Sequence, residues 1–502
     1  MGQRGSTKSS LTSLGDSMAR VVILGAGVSG HTAALHLRRM VGKEHEVVVV
    51  SPNAKWNWIP SNIWVGVGRM SPEAVVFPLA PVYRRAGITF RQAKAVAIWP
   101  EGDASNAHPG VDIVHTAPGR EGETERLTYD YLINATGPKL NFGATPGLGP
   151  DGNSLSVCTP SHAVQAAAEL EKVIAKLRAG ERQRLVIGVG HGTCTCEGAA
   201  FEYAFNVEHE LRAHGVRELA EVIYLTNEYE LGDFGVGGMV FQQQGFLSSS
   251  QLWTESLFRE RGVHAIVRAH VEKVEPGKLF FETLDGEQDS LTFDFAMLLP
   301  PFRGQELSAF DRDGTDITST MFAPSGFLRV DADYATKPYD EWLAADWPST
   351  YQSPAYSNIF GVGIAFAPPH PISVPRTSPR GTVISPAPPR TGMPSGVMGR
   401  QVARSINDMI RTGSQTPTHT ASMTTMGAAC IASAGTGLRH GTAAAMTMYP
   451  VVPDYVRFPG SGRSVKDTYG EVGLAAHWVK RLLHFLFIYK AKALPGWFLI
   501  PE

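Results

Sequence analysis

Near the start of the chain, Val21-Val-Ile-Leu-Gly-Ala-Gly-Val-Ser-Gly-His-Thr-Ala-Ala-Leu-His-Leu37 joins a β-branched run to an Ala-rich one through three glycines. A buried strand, a tight turn and a helix start in that order grip the pyrophosphate of a dinucleotide. Gly25 allows the turn, Gly27 lets the backbone approach the phosphates, and Gly30 lets the helix pack on the strand. The pattern predicts strand Arg20 to Gly25, helix Gly27 to Met40 and strand Glu46 to Ser51. An acid usually ends that second strand to hold the adenosine ribose, but Ser51-Pro52-Asn53 stands there. Ser51 or Asn53 substitutes, or the ribose is held from elsewhere.

Further along, Tyr129-Asp-Tyr-Leu-Ile-Asn-Ala-Thr-Gly137 reads as a strand turning away on a glycine, and with Gly25 it points to a flavoprotein. A second strand and turn, Arg184-Leu-Val-Ile-Gly-Val-Gly-His-Gly-Thr193, is followed by a helix to about His214 and a strand at Glu221 to Thr226. It lacks clean dinucleotide spacing and carries Cys194-Thr195-Cys196 where small residues would admit a pyrophosphate, so nicotinamide binding is not expected. The expected class is α/β, with two Rossmann-like domains in tandem. Residues 1–18 form a tail, 19–157 the first part of an FAD-binding domain, and 158–292 the second Rossmann-like domain. The span 293–445 returns to the FAD-binding domain, beginning with Phe293 to Phe302 as a buried strand. Asn358 to Gly363 is a further strand of that part, the Pro-rich loop 367–396 cannot be helix or central strand, and Met393 to Thr412 is a helix.

Composition excludes several classes. With 502 residues, 43% hydrophobic and 18% charged, the chain can build a large core, and a net charge of -2 gives no electrostatic case for nucleic acid. The Ser- and Gly-rich first residues lack the apolar core of a cleavable secretory signal. Four cysteines cannot form a disulfide scaffold in a chain this long, and Cys-x-Cys without a second ligand pair is a weak metal signal, so no metal is expected.

The segment 446–502 differs in character. From Gly473 onward, Leu474, Trp478, Leu482, Leu483, Phe485, Leu486, Phe487 and Tyr489 give wide apolar coverage, while Lys480, Arg481, Lys490 and Lys492 supply charge with no acid between them. The stretch from Gly473 to Tyr489 is too short and too charged to span a bilayer, which needs about 20 apolar residues. The expectation is a helix in the membrane interface, aromatics down and cations toward headgroups; the alternative is a helix docked on the core or on a second copy.

Cys158 lies in Ser156-Val-Cys-Thr-Pro-Ser-His162 and Cys430 in Met426-Gly-Ala-Ala-Cys-Ile-Ala-Ser433. Two segments lining one flavin could bring these sulfurs together as a redox pair, since a thiolate freed from a disulfide can pass two electrons to the ring. His162, four residues after Cys158, would share its side of a helical turn and could tune the thiol or move a proton.

Pro60-Ser-Asn-Ile-Trp-Val-Gly-Val-Gly68, Ala135-Thr-Gly-Pro-Lys-Leu140, Val157-Cys-Thr-Pro-Ser-His162, Glu202-Tyr-Ala-Phe205, Leu298-Leu-Pro-Pro-Phe-Arg-Gly304 and Ala429-Cys-Ile-Ala432 occur in the order found in sulfide:quinone oxidoreductases, which this chain resembles from about Arg20 onward. The resemblance implies a peripheral membrane flavoprotein in which two cysteines oxidise sulfide on one face of FAD and a quinone takes electrons from the other. It makes Cys158 and Cys430 the redox cysteines. Gly25, Gly27, Ser29, Gly30, Ser51, Thr136, Gly137 and Gly363 are the cofactor-binding candidates. The family's Pro-Lys-Thr-Gly appears as Pro389-Arg-Thr-Gly392, making Arg390 a further candidate, and Lys139-Leu-Asn-Phe-Gly143 lacks the third cysteine that many members link to flavin, so FAD is expected to bind non-covalently. Sulfide, quinone and a membrane surface are the expected partners, and a homo-oligomer is left open. The alternatives are a type II NADH dehydrogenase, a flavocytochrome-type sulfide dehydrogenase subunit and a non-catalytic flavin-binding protein.

Overall fold

The computed structural model describes residues 18–195, 197–243, 245–389, 392–435, 439 and 441–502. The first unit forms as the glycine pattern predicts: β1 (Arg20–Leu24), α1 (Val28–Met40) and β2 (Glu46–Ser51). A short α2 (Asn62–Gly66) precedes β3 (Thr89–Trp99), β4 (Gly110–His115), β5 (Thr124–Thr128) and β6 (Tyr131–Asn134). β1 is flanked in parallel by β2 and β6, which explains an unbroken β-branched run with Val21 to Leu24 fully buried.

The second unit comprises α3 (Pro160–Arg178), β7 (Gln183–Val189), α4 (Glu197–Ala213), β8 (Ala220–Leu225), β9 (His264–Ile266) and β10 (Phe295–Leu299). Its parallel sheet runs β9-β8-β7-β10. Here the structure corrects an expectation. β10 does not return to the first sheet; it pairs with β7, Leu185 opposite Phe295 through Val189 opposite Leu299. All five residues of β10 are buried, and a strand that is apolar on both faces suits either sheet equally well. The return is made later by β11 (Ile359–Gly361), which adds beside β6 so that the first sheet reads β11-β6-β1-β2-β3-β4-β5.

α5 (Gly392–Thr412) then packs on α1, where a Cβ on Gly399 would stand 2.3 Å from the Ser29 carbonyl. The close approach explains why Ser29 to Leu37 are buried in succession. The chain closes with an antiparallel sheet, β12 (Ala428–Ala434), β13 (Thr442–Met448) and β14 (Tyr469–Gly473), and a final helix α6 (Leu474–Ala491) lying against it.

Candidate active site

The first glycine turn is a cradle with one open place. Gly25 holds φ +99°, and a Cβ there would meet the Ala135 carbonyl at 2.1 Å; one on Gly30 would meet the Gly25 carbonyl at 2.1 Å. Gly27 caps α1, yet a Cβ on it would find nothing within 4 Å. The first turn of α1 carries no acid, so its N–H groups and positive dipole end face that space unopposed by side-chain charge. Ser29 stands at the same helix end against Gly363, whose φ is +67° and whose added Cβ would be 2.1 Å from the Ser29 hydroxyl. Thr136 donates from both its backbone N–H and its hydroxyl to the Asn134 side-chain oxygen, and Gly137 (φ +70°) also has no atom within 4 Å of an added Cβ. These residues fit a dinucleotide lying over β1 and β6. Ser51 is buried, its hydroxyl accepting from the Asn53 N–H at 3.3 Å. Arg390 lies outside the described residues.

The second turn is filled by the protein itself. A Cβ on Gly190 would strike Leu148 at 2.4 Å, and one on Gly192 would meet the Val383 carbonyl at 2.6 Å. The Pro-rich segment crosses this turn, with the Ser385 N–H donating to the Gly192 carbonyl at 2.7 Å and the Ala387 N–H to the Cys194 carbonyl at 2.9 Å. Cys194 is buried with its thiol on the Leu299 carbonyl at 3.3 Å. Cys196 lies outside the described residues, among which no three His, Cys, Asp or Glu side chains group as a metal site.

Cys158 and Cys430 are half-buried free thiols, and the strand of Cys430 packs on α4. The Cys430 sulfur lies 2.8 Å from where a Cβ on Gly198 would stand, so that glycine admits it. Val157, beside Cys158, and the Tyr203 ring both border Gly66, an added Cβ there lying 2.8 Å from Val157 and 3.0 Å from Tyr203. Gly198 and Tyr203 are separated by about 7.5 Å along the axis of α4. Burial pushes each thiol up to about 11, opposed at Cys158 by a hydrogen bond with Ser156. His162 does not stand where a helical turn would put it relative to Cys158, because Cys158 precedes the extended cap Thr159 and lies outside α3. Its backbone N–H donates to the Thr159 hydroxyl at 3.2 Å, its ring packs edge-on to Phe142 at 5.9 Å, and burial lowers its pKa. It therefore favours the neutral imidazole over a cation.

A buried ion pair beside Cys430 was not singled out from sequence. The Lys480 ammonium reaches from α6 to the Glu202 carboxylate at 3.0 Å and the Ile431 carbonyl at 3.2 Å, while Glu202 accepts the Ser433 N–H at 3.2 Å. Three further buried acids, Glu197, Glu228 and Asp233, gather behind α4; burial raises all three pKa values, that of Glu228 to about 7.

α6 has two unlike faces. His477 and His484 dock inward on the hydroxyls of Ser433 (2.6 Å) and Ser61 (2.8 Å), and Phe487 stacks on Trp58 at 4.8 Å. Trp478, Leu482, Phe485 and Tyr489 form an exposed apolar stripe, joined in exposure by Phe498 and Leu499. Two of the expected headgroup cations point inward instead: Lys480 pairs with Glu202 and Lys490 with Glu502, because a buried carboxylate draws an ammonium more strongly than water-screened headgroups can. Among the described residues no helix is long and apolar enough to cross a membrane.

Two nucleotide-type units, one open and one filled, define a flavin-dependent oxidoreductase, and a family model for pyridine nucleotide-disulphide oxidoreductases matches residues 19–336. The sulfide-quinone reductase of Aquifex aeolicus (strain VF5) is 30% identical over 391 residues, 78% of this chain and 76% of that one. The X-ray structure of the Aquifex aeolicus sulfide:quinone oxidoreductase matches with a TM-score of 0.72 at 27% identity, over 95% of this chain and 92% of that one. The mitochondrial sulfide:quinone oxidoreductase of Mus musculus is 23% identical over 68% of this chain and 64% of its own. An NDH2 from Plasmodium falciparum in complex with NADH is alike in fold alone, with a TM-score of 0.61 at 12% identity over 96% of this chain and 97% of that one. The chain belongs to the sulfide:quinone oxidoreductases within the pyridine nucleotide-disulphide oxidoreductase family.

Proposed function

We propose that the protein oxidises sulfide to polysulfide or zero-valent sulfur through Cys158 and Cys430 and passes the electrons by way of FAD to a quinone at a membrane surface. The observation that carries this reading is two half-buried free cysteines, Cys158 and Cys430, in a chain of this family. Gly25, Gly27 and Gly30 with Ser29, Thr136, Gly137 and Gly363 would hold FAD, and Lys139 to Gly143 offer no cysteine for a covalent link. Bound there, FAD supplies a two-electron acceptor.

The thiol environment favours a defined first step. Burial disfavours a thiolate at either cysteine, whereas a disulfide carries no charge into that low-dielectric surrounding. Hydrosulfide brings its own negative charge and attacks one sulfur of the pair. One S–S bond forms, the Cys158–Cys430 bond breaks, and the products are a persulfide on one cysteine and a thiolate on the other. The apolar stripe of α6 would rest in the interface and offer a quinone tail a path from the bilayer.

Mixing oxidised protein anaerobically with sulfide tests this. The yellow flavin absorbance should bleach and then recover when a short-chain quinone is added. Flavin that stays oxidised under sulfide overturns the proposal.

A further inference from the structure

Cys430 lies on a strand that is held by a buried ion pair whose two charges come from different helices. Glu202 on α4 and Lys480 on α6 pair at 3.0 Å, Lys480 also holds the carbonyl of Ile431 next to Cys430, and Glu202 holds the N–H of Ser433 three residues on. The pair thus clamps the strand that carries the sulfur as well as placing charge near it. Both side chains are largely buried, at 12% and 7% exposure, so solvent screens little of their field.

We propose that Lys480 and Glu202 are positioning residues that act in opposition on the Cys430 sulfur, Lys480 favouring its thiolate and Glu202 its thiol. The ammonium is thereby contributed by the same helix that turns its apolar stripe outward, so the docking of α6 and the reactivity of Cys430 are set by one element. The lysine lowers and the glutamate raises the thiol's pKa, under the larger upward effect of burial. Glu228, from the segment after β8, adds to the upward push, and Glu197 stands one residue before the Gly198 that admits the sulfur. Across the strand pair, Cys430 faces Met446, which carries no charge. Sulfide attack on a disulfide needs Cys158 or Cys430 to leave as thiolate, and a leaving sulfur with a lower pKa leaves faster. The field of the pair therefore bears on which of the two cysteines departs.

The inference rests on Cys430 being a redox sulfur but is tested without turnover. Thiol-reduced holoprotein is treated with iodoacetamide at pH 8, and the rates at Cys430 and at Cys158 are followed separately by peptide mass spectrometry. Lys480→Met should slow labelling of Cys430 by about fivefold and Glu202→Gln should speed it by about fivefold, each less than the tenfold of a full pKa unit. Lys480→Arg should stay within about twofold of the parent, since it keeps the charge. Cys158 labelling is the internal reference, and general loosening of the fold would push both variants the same way. Opposite signs in the stated directions support the inference; the same direction, reversed directions or no change overturn it. If Lys480→Met does not fold, Glu202→Gln decides alone, faster labelling supporting and unchanged or slower labelling overturning. Failure of the underlying reading shows elsewhere, as sulfide bleaching retained by Cys430→Ser.

Discussion

The two glycine-rich turns begin alike, a buried parallel strand running into glycines and then a helix, and end in opposite states. At the first, the glycines give close backbone contact at Gly25 and Gly30 while the place beside Gly27 stays open before a helix end without acids. At the second, Leu148 closes on Gly190 and the carbonyl of Val383 on Gly192, and the Pro-rich segment is hydrogen-bonded across the top. A glycine motif therefore specifies a backbone path, and what occupies the hollow is decided by distant residues. In this molecule one hollow stays open and the other has become core.

The largest effect should come from filling the open turn. Gly27→Leu places a side chain where pyrophosphate would lie and should weaken FAD binding by about a hundredfold or more, roughly 2.7 kcal/mol. Flavin absorbance retained after gel filtration reads this, and full retention would break the contrast. Gly190→Ala is the mirror experiment: its methyl enters Leu148, and overpacking should cost on the order of 1–3 kcal/mol in urea denaturation while flavin content is unchanged. NADH should leave the flavin oxidised under conditions in which sulfide bleaches it, since the turn that would admit nicotinamide dinucleotide is occupied. Bleaching by NADH would show that the Pro-rich cover opens.

A smaller effect concerns pH. Glu228 lies beneath the filled turn, next to Asn227, whose side chain donates to the carbonyls of Gly192 and Cys194 at 3.1 Å. Burial raises its pKa from 4.5 to about 7, so between those values the folded protein binds more protons than the unfolded chain. Stability should fall as pH rises through that window. Glu228→Gln should flatten the slope in denaturant midpoints measured from pH 5 to pH 8. Smallest of all, Cys194→Ser should cost about 1 kcal/mol or less and leave sulfide bleaching intact, because a serine hydroxyl can still donate to the Leu299 carbonyl that the buried thiol meets. Loss of bleaching there would move the chemistry to the second turn.

What could be read from the sequence was what local chemistry determines. β1, α1 and β2 were legible because strand, glycines and helix are adjacent and each constrains the next. The partner of Phe295 to Leu299 was not, since a strand buried on both faces carries no alternation to say which sheet it enters. His162 was misplaced for a local reason: Pro160 starts the helix and leaves Cys158 outside it. Lys480 looked like a headgroup cation because its nearest sequence neighbours include no acid, and Glu202 lies 278 residues away. Long-range ion pairs of this kind leave no periodic trace, whereas the apolar stripe of Trp478, Leu482, Phe485 and Tyr489 does.

Sulfide-driven flavin bleaching in Cys158→Ser and Cys430→Ser, each purified with FAD and followed by stopped flow beside the parent protein, tests the central claim most directly. Both variants should stay yellow while the parent bleaches. Bleaching at the parental rate in either one would contradict a two-cysteine route for sulfide.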